Sequence, residues 1–179
     1  MSQLERFDKF CFEYRNVLAA APLLVALVLE RGMWGRPAAA WAIGGVLAVA
    51  GVKLRALCVC YNKYAQREKK SLATGGPYGV VRNPLYVGNA LVIFGATVAS
   101  QHLWMLPIMA LWCAGVYSRV AAHEERRLVA RYHDDYLAYR DAVPAWFPRP
   151  PEGFFPSLVR QSASLVLLVP FLLKLLLGR

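Results

Sequence analysis

The stretch YVGNALVIFGATVASQHLWMLPIMALWCAGVY, residues 86–117, decides the fold. It carries no Asp, Glu, Lys or Arg, and its two apolar blocks, Tyr86–Ser100 and Leu103–Tyr117, are separated only by Gln101-His102. A helix at the surface of a soluble domain shows an apolar stripe and a polar face at a period near 3.6 residues. Here the apolar residues fill whole blocks, as they do in membrane helices. Two such blocks with so short a break predict a tight helical hairpin.

Working outward, three more blocks flank the hairpin. They are Val17–Leu29, which the amphipathic stretch Phe7–Asn16 can extend backwards; Ala38–Tyr61, broken only by Lys53 and Arg55; and Ser162–Leu177, which contains Lys174. Of 179 residues, 58% are hydrophobic and 18% charged, against about 45–50% and about 25% in soluble domains. A span takes about 20 residues, so every block but Ala38–Tyr61 must borrow its polar flanks or thin the membrane. The expectation is an all-α, polytopic membrane bundle of about five transmembrane helices, with a helical hairpin and organised cytosolic segments. Residues 1–61 form the N-terminal membrane helices. Residues 62–150 form a core of cytosolic loop, hairpin and acidic helix, and residues 151–179 form a C-terminal membrane helix.

The formal net charge is +10. The basic residues cluster in loops between apolar blocks and not on one face of a polar domain, and no groove-reading or stacking module accompanies them, which argues against nucleic-acid binding. They concentrate in residues 1–16, 61–84 and 119–160. With five spans these segments share one side, so the positive-inside rule places the N-terminus in the cytosol and the C-terminus outside. The localisation is multi-pass integral membrane, the inner membrane if the source is bacterial. Lys53 and Arg55 then lie near the cytosolic end of their span and can snorkel. Residues 1–16 are polar and no small-residue cleavage site follows the first apolar run, so no cleavable signal peptide is expected. Cys58-Val-Cys60 is too tight for the usual zinc spacing and lacks a second pair. Cys11, Cys58, Cys60 and Cys113 read as reduced thiols, and no metal site is expected.

Two polar segments carry the motifs. The first is Gly75-Gly76-Pro77-Tyr78 followed by Val81-Arg82-Asn83-Pro84-Leu85-Tyr86-Val87-Gly88. Gly-Gly-Pro marks a turn, Asn83 an N-cap and Pro84 the first helical position, and Gly88 a close helix approach. Tyr78, Arg82 and Tyr86 remain, crowded at the mouth of a membrane helix. A helix N-terminus favours anions, and aromatic faces stack on a nucleobase or attract a cation. The second is His123-Glu124-Glu125, then Leu128, Tyr132, Tyr136 and Tyr139, then Val143-Pro144. Helical spacing puts Leu128 and the tyrosines on one face, and Glu124 with Arg127 reads as an ordinary surface pair. Two adjacent carboxylates just beyond a span need partners.

The order G-P-Y, R-N-P-x-Y-x-G, hairpin, E-E-x-x-L, Y-x-x-Y, V-P over residues 70–150 resembles the isoprenylcysteine carboxyl methyltransferases and the related phospholipid methyltransferases, integral membrane enzymes that use S-adenosyl-L-methionine. The resemblance implies a cofactor cradled by Lys70, Ser71, Leu72 and Ala73, by Tyr78, by Asn83, Pro84, Leu85 and Tyr86, and by Glu124. It implies a role for Glu124, with Glu125 beside it, and a lipid-like or isoprenoid-bearing acceptor that enters from the bilayer and presents a carboxyl, amine or hydroxyl. Arg82, read from its place at the helix mouth, would orient the substrate or fix those carboxylates, which makes Arg82, Glu124 and Glu125 the candidate catalytic residues. Three positions depart from the pattern. Asn83 stands where the family usually has histidine, His133 where a glycine often precedes the double tyrosine, and Val120 where the isoprenylcysteine enzymes have a substrate-binding arginine. Arg119 lies one residue off, about 100° around the helix. Two competing readings are an NADPH-dependent sterol-type membrane reductase and a non-catalytic scaffold or transporter subunit. The scaffold reading predicts no pocket between the two cytosolic segments.

Overall fold

The computed structural model describes residues 3–28, 37–67 and 71–149. The chain divides into two compact units, Met1–Phe147 and Pro148–Arg179, and all that follows concerns the first. Among the described residues every regular element is helical: α1 (Gln3–Glu13), α2 (Arg15–Val28), α3 (Pro37–Arg67), the single turn α4 (Pro77–Val80), α5 (Pro84–Ala99), α6 (Leu106–Tyr132), entered through a 3₁₀ turn at Leu103–Met105, and α7 (Asp134–Ala142).

Two segments are long and apolar enough to cross a membrane. Ala38–Gln66 has 29 residues and a mean hydropathy of 1.9, and Leu103–Tyr132 has 30 residues and 1.4. At about 1.5 Å per residue each exceeds the roughly 30 Å hydrocarbon thickness, so each is long enough to cross with its polar end to spare. α5, at 16 residues, is shorter than a full span. The faces that α3 and α6 turn outward are apolar: Trp41, Val46 and Val52 on the one, Ile108 and Leu111 on the other, are all more than half exposed or close to it. Such surface is costly in water and matches a lipid environment.

The five expected spans are therefore met in part. The first block lies in α2, a 14-residue helix, and the amphipathic stretch does not extend it continuously. The helix breaks at Tyr14, and the Arg15 guanidinium turns back to donate to the Phe12 carbonyl at 2.9 Å, serving an acceptor at the end of α1. The fifth block, Ser162–Leu177, lies outside the described residues.

The α3–α5 seam is the most extensive helix pairing, and glycine makes it. Gly44 and Gly51 on α3, seven residues apart, meet Gly95 and Gly88 on α5, which fixes the helices as antiparallel. A Cβ on Gly44 would lie 2.5 Å from the Gly95 carbonyl oxygen, and one on Gly51 2.6 Å from that of Gly88. Lipid offers no hydrophobic drive for association, so close backbone contact of this kind supplies the attraction. The sequence reading anticipated close approach at Gly88 and did not single out the other three glycines.

On the other flank, α5, α6 and α1 enclose an apolar cluster that includes Cys11, Tyr86, Ile93, Met109, Cys113, Tyr117 and Val120. The α6 members recur every three or four residues, one face of a helix. α1 is clasped to α6 by Asp8, only 1% exposed, which accepts a hydrogen bond from Arg126 at 2.7 Å and lies 3.9 Å from Arg119. The Trp112 indole donates to the Leu18 carbonyl at 3.1 Å and ties α6 to α2. Of the four cysteines, Cys11, Cys58 and Cys113 are buried and Cys60 is exposed, all as free thiols.

The expected continuous helix after the hairpin is broken. At His133 the backbone takes φ 47° and ψ −122°, separating α6 from α7. That region favours glycine, which accounts for the glycine this position resembles in the family and leaves His133 strained. Leu128 and the three tyrosines consequently do not share one helix face. Tyr136 and Tyr139 are buried on α7, and Tyr132 sits half-buried at the end of α6.

Candidate functional site

A cavity of about 480 Å³ opens where the polar ends of α3, α5 and α6 meet the two connecting segments. One wall is the end of α3, with Val59, Asn62, Lys63 and Gln66 facing in. Gln66 Nε2 donates to Asn62 Oδ1 at 2.8 Å, an i,i+4 pair on that face. The chain then turns back: the Ser71 amide donates to the Ala65 carbonyl, and Leu72 and Ala73 run on outside any helix. Ser71, Leu72 and Ala73 all line the cavity. Lys70 lies outside the described residues.

The next turn brings in Tyr78. Gly76 has φ 58°, and a Cβ there would collide with the Tyr61 ring, so glycine is required twice over. Pro77 starts α4, and the Tyr78 carbonyl accepts a hydrogen bond from the Tyr139 hydroxyl at 2.7 Å. Burial pushes the phenols of Tyr78, Tyr136 and Tyr139 above their ordinary range, so they stand as neutral hydroxyls at physiological pH.

Arg82 and Asn83 are fixed by the backbone at and just after the Val143-Pro144 motif, a pairing the sequence did not indicate. The Arg82 amide donates to the Pro144 carbonyl at 2.8 Å and the Asn83 amide to Ala145 at 3.2 Å. Asn83 occupies the N-cap position of α5, but its side chain makes no capping bond. Its Nδ2 donates instead to the Ala145 carbonyl at 3.2 Å. The Val143-Pro144 motif thus gives the mouth of α5 a rigid edge to lie against.

The carboxylates of Glu124 and Glu125, about 100° apart around the helix, go different ways. Glu125 lies 3.3 Å from the Arg82 guanidinium, whose Nε and Nη1 are buried without a hydrogen-bond partner. The expected Glu124–Arg127 pair is not formed, and Glu124 has no ion-pair partner within 4 Å among the described residues. Glu124 is the polar partner of the buried Tyr86 hydroxyl, although the pair falls outside strict hydrogen-bond geometry. The Tyr86 ring stacks on Tyr117 with centroids 5.2 Å apart.

The cavity therefore gathers Ser71, Leu72, Ala73, Tyr78, Arg82, Asn83, Pro84, Leu85, Tyr86, Glu124 and Glu125, together with Leu128, Tyr132, Tyr136 and Tyr139. It also holds residues that sequence reasoning missed: Phe12 from α1, the α3 end, and Arg127 and Arg131. Phe12 is carried in by the Asp8 clasp, with the Arg15 guanidinium 4.3 Å and the Arg127 guanidinium 5.3 Å from its ring centroid. Only the polar pair Asn62 and Gln66 at the end of an apolar helix was a visible signal. Among the described residues no group of three or more His, Cys, Asp or Glu is placed to hold a metal ion.

Comparison with known proteins adds an independent line. Residues 37–135 match the family described as phospholipid methyltransferase. The chain is 35% identical over 107 residues to the cobalt-zinc-cadmium resistance protein CzcN of Cupriavidus metallidurans, a match covering 60% of this chain and 47% of that protein. It is 32% identical over 130 residues to the nickel-cobalt-cadmium resistance protein NccN of Alcaligenes xylosoxydans xylosoxydans, covering 71% of this chain and 60% of that one. The chain thus spans about half the length of these relatives, or somewhat more. No solved structure matches.

Proposed function

The chain belongs to the phospholipid methyltransferase family, and from that premise we propose that it is an integral membrane enzyme that transfers a methyl group from S-adenosylmethionine to a lipid-like acceptor. The observation that carries this reading is the juxtaposition, in one cavity, of the buried Tyr86 hydroxyl and the Glu124 carboxylate that faces it, a carboxylate with no ion-pair partner within 4 Å among the described residues. A carboxylate near the membrane edge without a close ion pair is costly. A ligand that brings a cation to the Tyr86–Glu124 pair relieves that cost.

The residues fit such a donor. A volume of about 480 Å³ falls within the roughly 300–1,000 Å³ of small-molecule pockets. When bound, S-adenosylmethionine supplies a methyl group on a positively charged sulfur. Glu124 holds that charge, and the backbone of Ser71, Leu72 and Ala73 offers amide and carbonyl groups for the nucleoside. Tyr78 and Tyr132 give aromatic walls, Tyr86 a hydroxyl, and Asn83 and Pro84 the edge of the α5 mouth. Arg82 acts as a positioning residue: it locks Glu125 and leaves two N–H groups for a ligand. Holding donor and acceptor in line contributes roughly 7–11 kcal/mol in favourable cases, and Phe12, held by the α1–α6 clasp, adds an apolar wall.

Residues 62–150 are the proposed catalytic core. The clustering of basic segments at the cavity end of α3, α5 and α6 supports placing that end in the cytosol, with the acceptor arriving sideways from the bilayer. The scaffold reading predicted no pocket at this place, and the cavity counts against it. The metals in the relatives' names carry no assignment here, since among the described residues no ligand cluster supports one. The test is incubation of the purified chain with methyl-labelled S-adenosylmethionine and a membrane lipid extract. Transfer of label to extractable lipid, abolished in Glu124→Gln, supports the reading. No transfer and no S-adenosylmethionine binding by calorimetry overturns it.

A further inference from the structure

The polar lining does not stop at the floor of the cavity. On α3, Val59, Asn62, Lys63 and Gln66 line it, and Arg55 continues that face one turn deeper, four residues before Val59. On α5, Asn89 lies three residues beyond Tyr86, and on α6, Tyr117 lies seven before Glu124. Both continue lining faces toward the membrane interior. Asn89 is 8% exposed and Tyr117 3%. Asn89 Oδ1 is buried without a hydrogen-bond partner, and the Tyr117 hydroxyl is buried outside strict hydrogen-bond geometry. The Asn89 amide lies beside the Tyr117 hydroxyl, with the Arg55 guanidinium within electrostatic reach.

Arg55 is held there by the α3–α5 seam. Its stem fills the notch at Gly88, where an added Cβ would lie 2.9 Å from Arg55 Cγ. The residue is exposed at the side of the bundle, and among the described residues no carboxylate pairs with it. An unpaired cation on a membrane helix is costly and marks a functional site by default. Here it borders two buried polar groups whose only near partner among the described residues is each other, with Asn89 Oδ1 left over.

We propose that Arg55, Asn89 and Tyr117 form a binding subsite for the oxyanion, carboxylate or phosphate, of an amphiphile that enters between α3 and α6 from the bilayer. The guanidinium presents parallel N–H groups suited to an oxyanion. The Tyr117 hydroxyl donates, and the Asn89 amide donates from its nitrogen, its two ends exchanging by rotation. The site rests on reading the cavity above as the donor pocket, and it names the acceptor class as an anionic amphiphile. It also explains a departure in the sequence: Val120, where the isoprenylcysteine enzymes resembled have arginine, is fully buried and apolar, and the cation comes from α3 instead.

The test uses the full chain in detergent, with bound lipid counted by native mass spectrometry. Oleate and dioleoyl phosphatidic acid are the anionic probes, oleyl alcohol and dioleoyl phosphatidylcholine the neutral and zwitterionic ones. The wild type is expected to prefer an anionic probe about tenfold or more. Preference for oleate assigns a carboxylate, for phosphatidic acid a phosphate; either supports the subsite. Arg55→Met, which keeps a stem in the Gly88 notch, is expected to abolish the preference. Tyr117→Phe, which keeps the ring stack with Tyr86, is expected to weaken it about fivefold, and it remains informative if Arg55→Met fails to fold. No preference in the wild type, or a full preference in Arg55→Met, overturns the proposal and leaves Arg55 as a snorkelling residue. Displacement of oleate or phosphatidic acid by equimolar inorganic phosphate overturns the amphiphile assignment. S-adenosylmethionine is titrated in parallel; its failure to bind would sink the donor-pocket reading while the lipid counts still judge the subsite.

Discussion

Replacing Glu124 by Gln isolates the charge on which the donor site depends. The substitution keeps size and hydrogen-bonding capacity and removes one negative charge from the cavity wall. Two unit charges about 4 Å apart attract by about 4 kcal/mol at an effective dielectric near 20. The Arg15 and Arg127 guanidinium groups already act on this carboxylate, and the cavity is open to water, so the part lost is smaller. A charged hydrogen-bonded contact is typically worth about 1.5–3 kcal/mol, which is about a 10- to 150-fold rise in Kd. Calorimetry with S-adenosylmethionine reads this directly. S-adenosylhomocysteine has the same nucleoside and amino acid but a neutral sulfur, and its affinity is expected to change little. A Glu124→Gln protein that binds both as well as the wild type, or loses both equally, refutes the assignment of Glu124 to the sulfonium.

In the α3–α5 seam, Gly51→Val is expected to cost about 1–3 kcal/mol through overpacking, since its Cβ would lie 2.6 Å from the Gly88 carbonyl. Gly45→Ala, with nothing within 4 Å, is the control, and equal Tm values for the two variants would contradict the seam. His133→Gly is expected to stabilise by about 1 kcal/mol, the relief of a positive-φ residue less the added chain entropy; a fall in Tm would show the turn unstrained. Arg82→Met strands Glu125 in a largely buried site and is expected to cost about 1–3 kcal/mol. The double variant Arg82→Met, Glu125→Gln should recover part of this, and strict additivity in thermal unfolding would argue against the pair.

Much of the site was readable because helix starts and ends are local. Asn83-Pro84 launches α5 where the sequence says it should, and Tyr78, Arg82, Tyr86 and the Glu124-Glu125 pair meet in one cavity because the hairpin brings them to the same end of the helices. His133 was visible as a departure from the family's glycine, but its meaning, a forced positive φ that splits α6 from α7, was not. The apolar blocks correctly marked α3, α5 and α6. Their boundaries were less clear, since Asn62 to Gln66 prolong α3 although they are polar, and hydropathy reports the solvent and not the backbone.

By itself the sequence determined the solvent each segment prefers, the hairpin, the helix-launching turn and the family. Those properties depend on neighbours within a few residues or on composition over about twenty. Tertiary structure alone decided which carboxylate pairs with Arg82 and which stays open, that Asn83 bonds Ala145 sixty-two residues away, that Gly44 and Gly51 face Gly95 and Gly88, and that Phe12 lines the cavity. These depend on register between helices, and register is a collective result of packing that no single segment encodes.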